Sequence, residues 1–128
     1  MKAIALLFAA LLFVGCGSKP SAPKTATPAS GDVSFAKDIQ PVLTQTCMPC
    51  HAGGPAAKGK YDVTGYAGVM GDGSGSAPDV IPGKADSSSL YLRLTGAVPP
   101  LMPKGRPALD SAHLGTIRKW IDQGAKNN

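Results

Sequence analysis

The chain predicts an all-α domain: short helices joined by long Gly/Pro-rich loops. Three observations lead there. Apolar residues recur at helical spacing in several stretches, with capping residues at their ends. No alternating strand pattern of useful length occurs anywhere in the 128 residues. Glycine and proline are abundant, 16 and 12 residues, and many of them fall between the helical stretches, where they break helices and permit turns.

The first residues are set apart from that domain. Lys2 is followed by an apolar run, Ala3 to Val14, that ends in Gly15-Cys16. The run is too short to span a membrane and has the build of a signal peptide, giving residues 1–15 that role. The ending resembles a bacterial lipobox, in which a cysteine after a small residue is lipidated and becomes the mature N-terminus. Phe13 departs from the Leu, Val or Ile usual three positions earlier. An ordinary signal peptide with an incidental Cys16 is the alternative. Residues 16–31 carry almost no apolar side chain to bury, and proline recurs among Ser, Ala and Thr. Such a segment is a disordered or extended tether. Residues 32–126 then suffice for one small domain.

Within that domain Phe35, Ile39, Val42, Leu43 and Thr46 share helical spacing, and Ser34 precedes them as an N-cap. Pro41 either kinks this segment or opens a second helix at its first turn. Thr64 to Met70 suit a short helix. Asp86 is placed to cap another, with Leu90, Arg93 and Leu94 following and Gly96 ending it. In the last helix Asp110 is the N-cap, Leu114, Ile117 and Ile121 share a face, and Gly124 occupies the C-terminal cap region. The domain's aromatic residues are Phe35, Tyr61, Tyr66, Tyr91 and Trp120. That is little material for a core in a chain of this size.

Cys47-Met48-Pro49-Cys50-His51 explains how a core so poor in large side chains is completed. C-x-x-C-H is the attachment signature of c-type haem. Thiols three positions apart can each add to one of two vinyl groups on a porphyrin edge, and the next residue places an imidazole under the iron as proximal ligand. One covalent haem c would supply much of the missing apolar body, and the apo chain is expected to fold poorly. Haem c also requires export, which the leader provides. With lipid on Cys16 and haem on Cys47 and Cys50, none of the three cysteines is left over.

Other chemistries fit less well. A thioredoxin-like thiol pair opens a helix, but Ala52, Gly53, Gly54 and Pro55 break one here and no βαβ pattern surrounds it. Zinc on Cys47, Cys50, His51 and His113 would require adjacent Cys50 and His51 on one small ion. Gly71 to Ser76 has no preceding strand or following Lys for a phosphate loop, and lacks the acids of a calcium loop.

The order of these pieces resembles the class I cytochrome c domains, and more closely the small planctomycete-type cytochrome c domains. The resemblance covers about residues 33–125. It rests on Val33-Ser34-Phe35 with Asp38 to Leu43, on Cys47 to His51, on Val80 to Lys84 with Ser89-Leu90-Tyr91, on Leu101-Met102-Pro103, and on Ile117 to Ala125. It implies a cytochrome c-like bundle of short helices around one covalently bound haem, with the first and last helices packed together. It also implies an iron held by the motif histidine and by a methionine in a proline-rich loop before the last helix. Met102, in Val98-Pro99-Pro100-Leu101-Met102-Pro103, matches that position, and a thioether in a proline-stiffened loop suits a fixed axial ligand. The bland role for Met102 is that of a gap-filling core residue. Met48 lies inside the attachment loop and Met70 closes an apolar segment. His113, one turn before Ile117, is the rival sixth ligand.

The functional expectation is a membrane-tethered monohaem cytochrome c carrying single electrons between redox partners in the bacterial cell envelope, not an enzyme. It would sit on the periplasmic side as a lipoprotein, held to the membrane through lipid on Cys16. Two alternatives stand beside it: a haem enzyme or gas-binding sensor with an open iron position, and a haem-bearing accessory subunit of a dehydrogenase. The formal charge of +5 includes Lys2, which leaves with the signal peptide. Lys37, Lys58, Lys60, Lys84, Lys104 and Arg106 suit steering of an acidic redox partner. An exported, aromatic-poor domain of this kind is a poor match to nucleic acid.

Overall fold

The computed structural model describes residues 31–53, 57–71 and 78–128. The leader, Cys16 and the tether up to residue 30 lie outside the described residues, as do residues 72–77 of the glycine-rich connection. Among the described residues the secondary structure is helical, with one isolated antiparallel bridge between Ala52 and Asp62. No helix among them is long and apolar enough to cross a membrane.

The first helical segment resolves both possibilities raised by Pro41. Phe35–Ile39 forms a π-helical turn, and α1, Gln40–Cys47, follows with Pro41 in its first turn. The Ile39 N–H reaches Ser34 O at 3.3 Å and the Gln40 N–H reaches Phe35 O. Pro41 has no N–H to give, so the wide turn hands over to an α-helix where a missing donor costs least. Ser34 is the N-cap, its Oγ accepting from the Lys37 N–H at 3.3 Å. Ile39 and Leu43, four residues apart, are both fully buried.

α2, Tyr66–Met70, is shorter than the sequence predicts, because Asp62 organises the residues before it. Its Oδ1 accepts from both the N–H and the hydroxyl of Thr64, at 2.7 and 2.6 Å, and these bonds hold the Asp62 carboxyl below its usual range. Gly68 packs against this turn so closely that a Cβ would lie 2.5 Å from Asp62 O and 2.8 Å from Asp62 Cβ. Gly115, within α4, faces open space. Opposite outcomes follow in chemical denaturation: Gly68→Ala should destabilise the domain by about 1–3 kcal/mol. Gly115→Ala should stabilise it by about 0.4–1 kcal/mol.

α3, Ser89–Thr95, is preceded by a 3-10 turn, Ala85–Ser87, and ends where Gly96 takes a left-handed conformation, φ 80°. The expected Asp86 cap is not made. Asp86 lies in the 3-10 turn, and its carboxylate takes both Nη atoms of Arg118, at 2.8 and 2.6 Å. A bidentate guanidinium is a stronger partner than one backbone N–H. Ser88 holds the N-cap position, but its buried hydroxyl turns inward, donating to Lys84 O and accepting from the Ile81 N–H, both at 2.9 Å.

α4, Ser111–Asp122, supplies the largest core side chain, Trp120. Ile117, Trp120 and Ile121 are fully buried. Trp120 packs on Phe35 at 5.5 Å between ring centroids, and Phe35 meets Tyr66 edge-on at 5.1 Å. The packing of the first helical segment on the last therefore runs through the π-helical turn. Asn128 closes the domain, its backbone O accepting from the Ala36 N–H at 3.0 Å and its Oδ1 from the Phe35 N–H at 2.9 Å.

Asp110 caps α4 as expected, accepting from the His113 N–H at 2.9 Å, while its other oxygen meets His113 Nδ1 at 2.8 Å. These bonds hold the Asp110 carboxyl below its ordinary value. A lowered folded-state pKa contributes stability that is full above the unfolded value and is lost as pH falls through the folded one. Acid unfolding followed by circular dichroism should accordingly flatten in Asp110→Asn, a cap with no charge to lose.

Candidate functional site

The segment after α1 bends back on itself. The His51 N–H reaches Cys47 O at 3.1 Å, the Lys58 N–H reaches Cys50 O at 2.9 Å, and the Val63 N–H reaches His51 O at 3.0 Å. These bonds gather Cys47, Cys50 and His51 into one compact turn. Both thiols are free; Cys47 is half-buried and Cys50 exposed. Burial pushes the Cys47 thiol up, against weaker opposing effects of its hydrogen bond with Thr46 and of the Arg106 charge.

The turn forms part of the wall of a cavity of about 420 Å³. That volume lies in the range of cofactor and small-molecule sites. Met102 lines the same cavity, as do Leu90 and Leu94 of α3 and Pro100 of the following loop. The structure thus brings together Cys47, Cys50, His51 and Met102. It leaves His113 apart, outside the cavity lining and paired with Asp110 on the N-cap of α4. Met48 also lines the cavity. Of the cationic side chains expected near the site, Lys58, Lys104 and Arg106 line it, whereas Lys37, Lys60 and Lys84 do not.

His51 is the most informative side chain in the wall. Its Nδ1 is buried and has no hydrogen-bond partner. A buried polar atom of that kind calls for a partner of another sort, such as an ion. The ring packs edge-on to Tyr61 at 5.6 Å, and the Tyr61 hydroxyl donates to Val69 O at 3.3 Å. Burial raises the Tyr61 pKa far above its usual value, with Asp79 and then Cys47 adding to the shift. Tyr61 and Asp79 were not legible as site residues. Tyr61 carries no motif, and Asp79 reaches the cavity from a loop whose path no periodicity predicts.

Compared with known proteins, residues 47–105 match the family described as Planctomycete cytochrome C, from the first attachment cysteine through the Met102 loop. No curated protein and no solved structure matches the chain.

Proposed function

We propose, from the match of residues 47–105 to the planctomycete cytochrome C family, that this protein is a monohaem electron carrier of the bacterial cell envelope, tethered to a membrane through lipid on Cys16. The cytochrome c family implies covalently bound haem c, and the residues present fit that group. Two free thiols stand at attachment spacing, one of them exposed. A histidine with an unsatisfied buried nitrogen follows them. Apolar side chains of α3 and the Pro100 loop line the cavity beside them. When bound, the haem supplies a one-electron iron couple.

The chain's own residues account for the rest. Cys47 and Cys50 would hold the group covalently, and His51 would bind its iron. Tyr61 supports the His51 ring by edge-on contact. Leu90 and Leu94 keep water from one part of the wall. Met102, in the same cavity wall, would be the second protein ligand to the iron. The observation that carries this reading is that Cys47, Cys50, His51 and Met102 line one cavity while His113 does not. Lys58, Lys104 and Arg106 at the same cavity suit an acidic redox partner.

A carrier keeps both axial positions filled, which gives a test. The oxidised protein should show the weak near-infrared sulfur-to-iron band and strongly shifted methionine methyl signals in proton NMR. Both should disappear in Met102→Ala and persist in His113→Ala. The reverse pattern would transfer the sixth position to His113. Met102→His should lower the reduction potential, because methionine ligation raises it. The reduced protein should bind carbon monoxide poorly at neutral pH and should not turn over hydrogen peroxide with a dye donor. Fast binding together with peroxidase turnover would favour an enzyme or sensor with an open iron position.

A further inference from the structure

The backbone of the loop that carries Met102 is tied to α3 by two bonds, Val98 N–H to Leu92 O at 3.2 Å and Met102 N–H to Arg93 O at 2.9 Å. Val98 and Leu101 are 37% and 47% exposed, so these large side chains do not anchor it in the core. Pro99, Pro100 and Pro103 have no N–H, which leaves only Leu101 and Met102 as backbone donors between residues 99 and 103. Two arginine side chains add to the one backbone bond that Met102 makes, its N–H to Arg93 O. Arg93, in α3, takes hold of both ends of this run: its Nη1 donates to Pro99 O and its own carbonyl accepts the Met102 N–H, each at 2.9 Å. Arg106, three residues beyond Pro103, reaches back with Nη1 to Thr46 O at 3.3 Å and Met48 O at 3.5 Å. Those two carbonyls flank Cys47. Thr46 O belongs to the last turn of α1, where helical carbonyls lack intrahelical partners and cations are favoured.

We propose that Arg93 and Arg106 are positioning residues that brace the Met102 loop, Arg93 tying it to α3 and Arg106 tying it to the segment carrying Cys47. Resting on the ligand reading above, the brace sets how firmly the Met102 sulfur is held at the iron. Charge-assisted bonds to carbonyls are stronger than neutral ones. They suit a loop in which proline has removed most of the donors that would otherwise fix it. Both arginines also line the cavity, so their charge alone could matter there, and the test separates the two roles.

The holoprotein should be compared with R93Q, R106Q, the double variant, and R118Q as a control. Arg118 pairs with Asp86 and Asp122 and does not line the cavity. R93Q keeps the backbone carbonyl that accepts the Met102 N–H, so deuterium exchange at the Met102 amide reports opening of the loop. In R93Q/R106Q it should be about tenfold faster, the size of effect expected from losing the side-chain bonds to Pro99, Thr46 and Met48. The sulfur-to-iron band should disappear at a lower temperature, and carbon monoxide should bind the reduced protein faster. R118Q should change none of these. Wild-type exchange at Met102 in the double variant would overturn the brace. So would a shifted potential with exchange and band unchanged, which would reassign the arginines to charge neutralisation. If the double variant does not accumulate, R93Q alone decides by the same exchange measurement. A Met102→Ala protein that kept the band would refute the ligand assignment, and amide exchange would still judge the brace.

Discussion

Cys47→Ser combined with Cys50→Ser abolishes covalent haem: on denaturation in acid and organic solvent, whatever pigment the variant holds leaves the polypeptide, whereas in the wild type it stays. The expected change is from full attachment to none, because only these two thiols lie at attachment spacing. Release of haem from the wild-type chain would refute the c-type assignment. A second consequence concerns stability. The cavity of about 420 Å³ is lined in part by Leu90 and Leu94, which also belong to the core. A cavity of that size lined by apolar groups costs the contacts that a bound group would make. The double variant should therefore accumulate poorly and melt at a lower temperature than the holoprotein. Cys50→Ser alone should do less harm than Cys47→Ser, since Cys50 is exposed and Cys47 is packed beside Thr46 and the core.

Trp120→Ala should be the most damaging single change in the core. Trp120 is fully buried in α4, packs at a tilt on Phe35, and donates its indole N–H to Lys126 O at 3.0 Å. Truncating a buried tryptophan costs about 3–5 kcal/mol. That is a large share of the roughly 5–15 kcal/mol of a whole small domain. Trp120→Phe should recover much of the loss, leaving mainly the hydrogen bond, about 1 kcal/mol. Urea denaturation of the holoproteins measures both. A loss below 1 kcal/mol in Trp120→Ala would mean that the Phe35–Trp120–Tyr66 cluster does not hold the first helical segment to the last.

Features that depend on neighbours in the chain were legible before the fold was known. Ser34 and Asp110 cap their helices because a side-chain oxygen and a backbone N–H three residues on meet wherever a helix starts. Gly96 and Gly124 adopt positive φ after α3 and α4 for an equally local reason. Cys47, Cys50 and His51 share five consecutive positions, so their proximity required no knowledge of tertiary structure. Asp86 departs from the cap its position suggests because its partner, Arg118, lies 32 residues away and no local signal announces it. The π-helical turn before Pro41 fell between two readings, since helical periodicity in so short a segment does not distinguish a wide turn from a kink. Met102 stands out by its family position and its prolines, whereas the contacts that Arg93 and Arg106 make around its loop exist only once α1 and α3 are in place.

The chain has one tryptophan. Because Trp120 is buried in the core against Phe35, its fluorescence in the folded protein comes from a single, water-free environment and should be blue-shifted. Haem absorbs where indole emits, so a pigment bound in the same small domain drains that emission by energy transfer. One fluorescence trace can then distinguish three populations without any label: dark for haem-loaded and folded, bright and blue for folded but empty, bright and red for unfolded. The residue that holds the first and last helical segments together is thus also an optical gauge of whether the domain has been loaded.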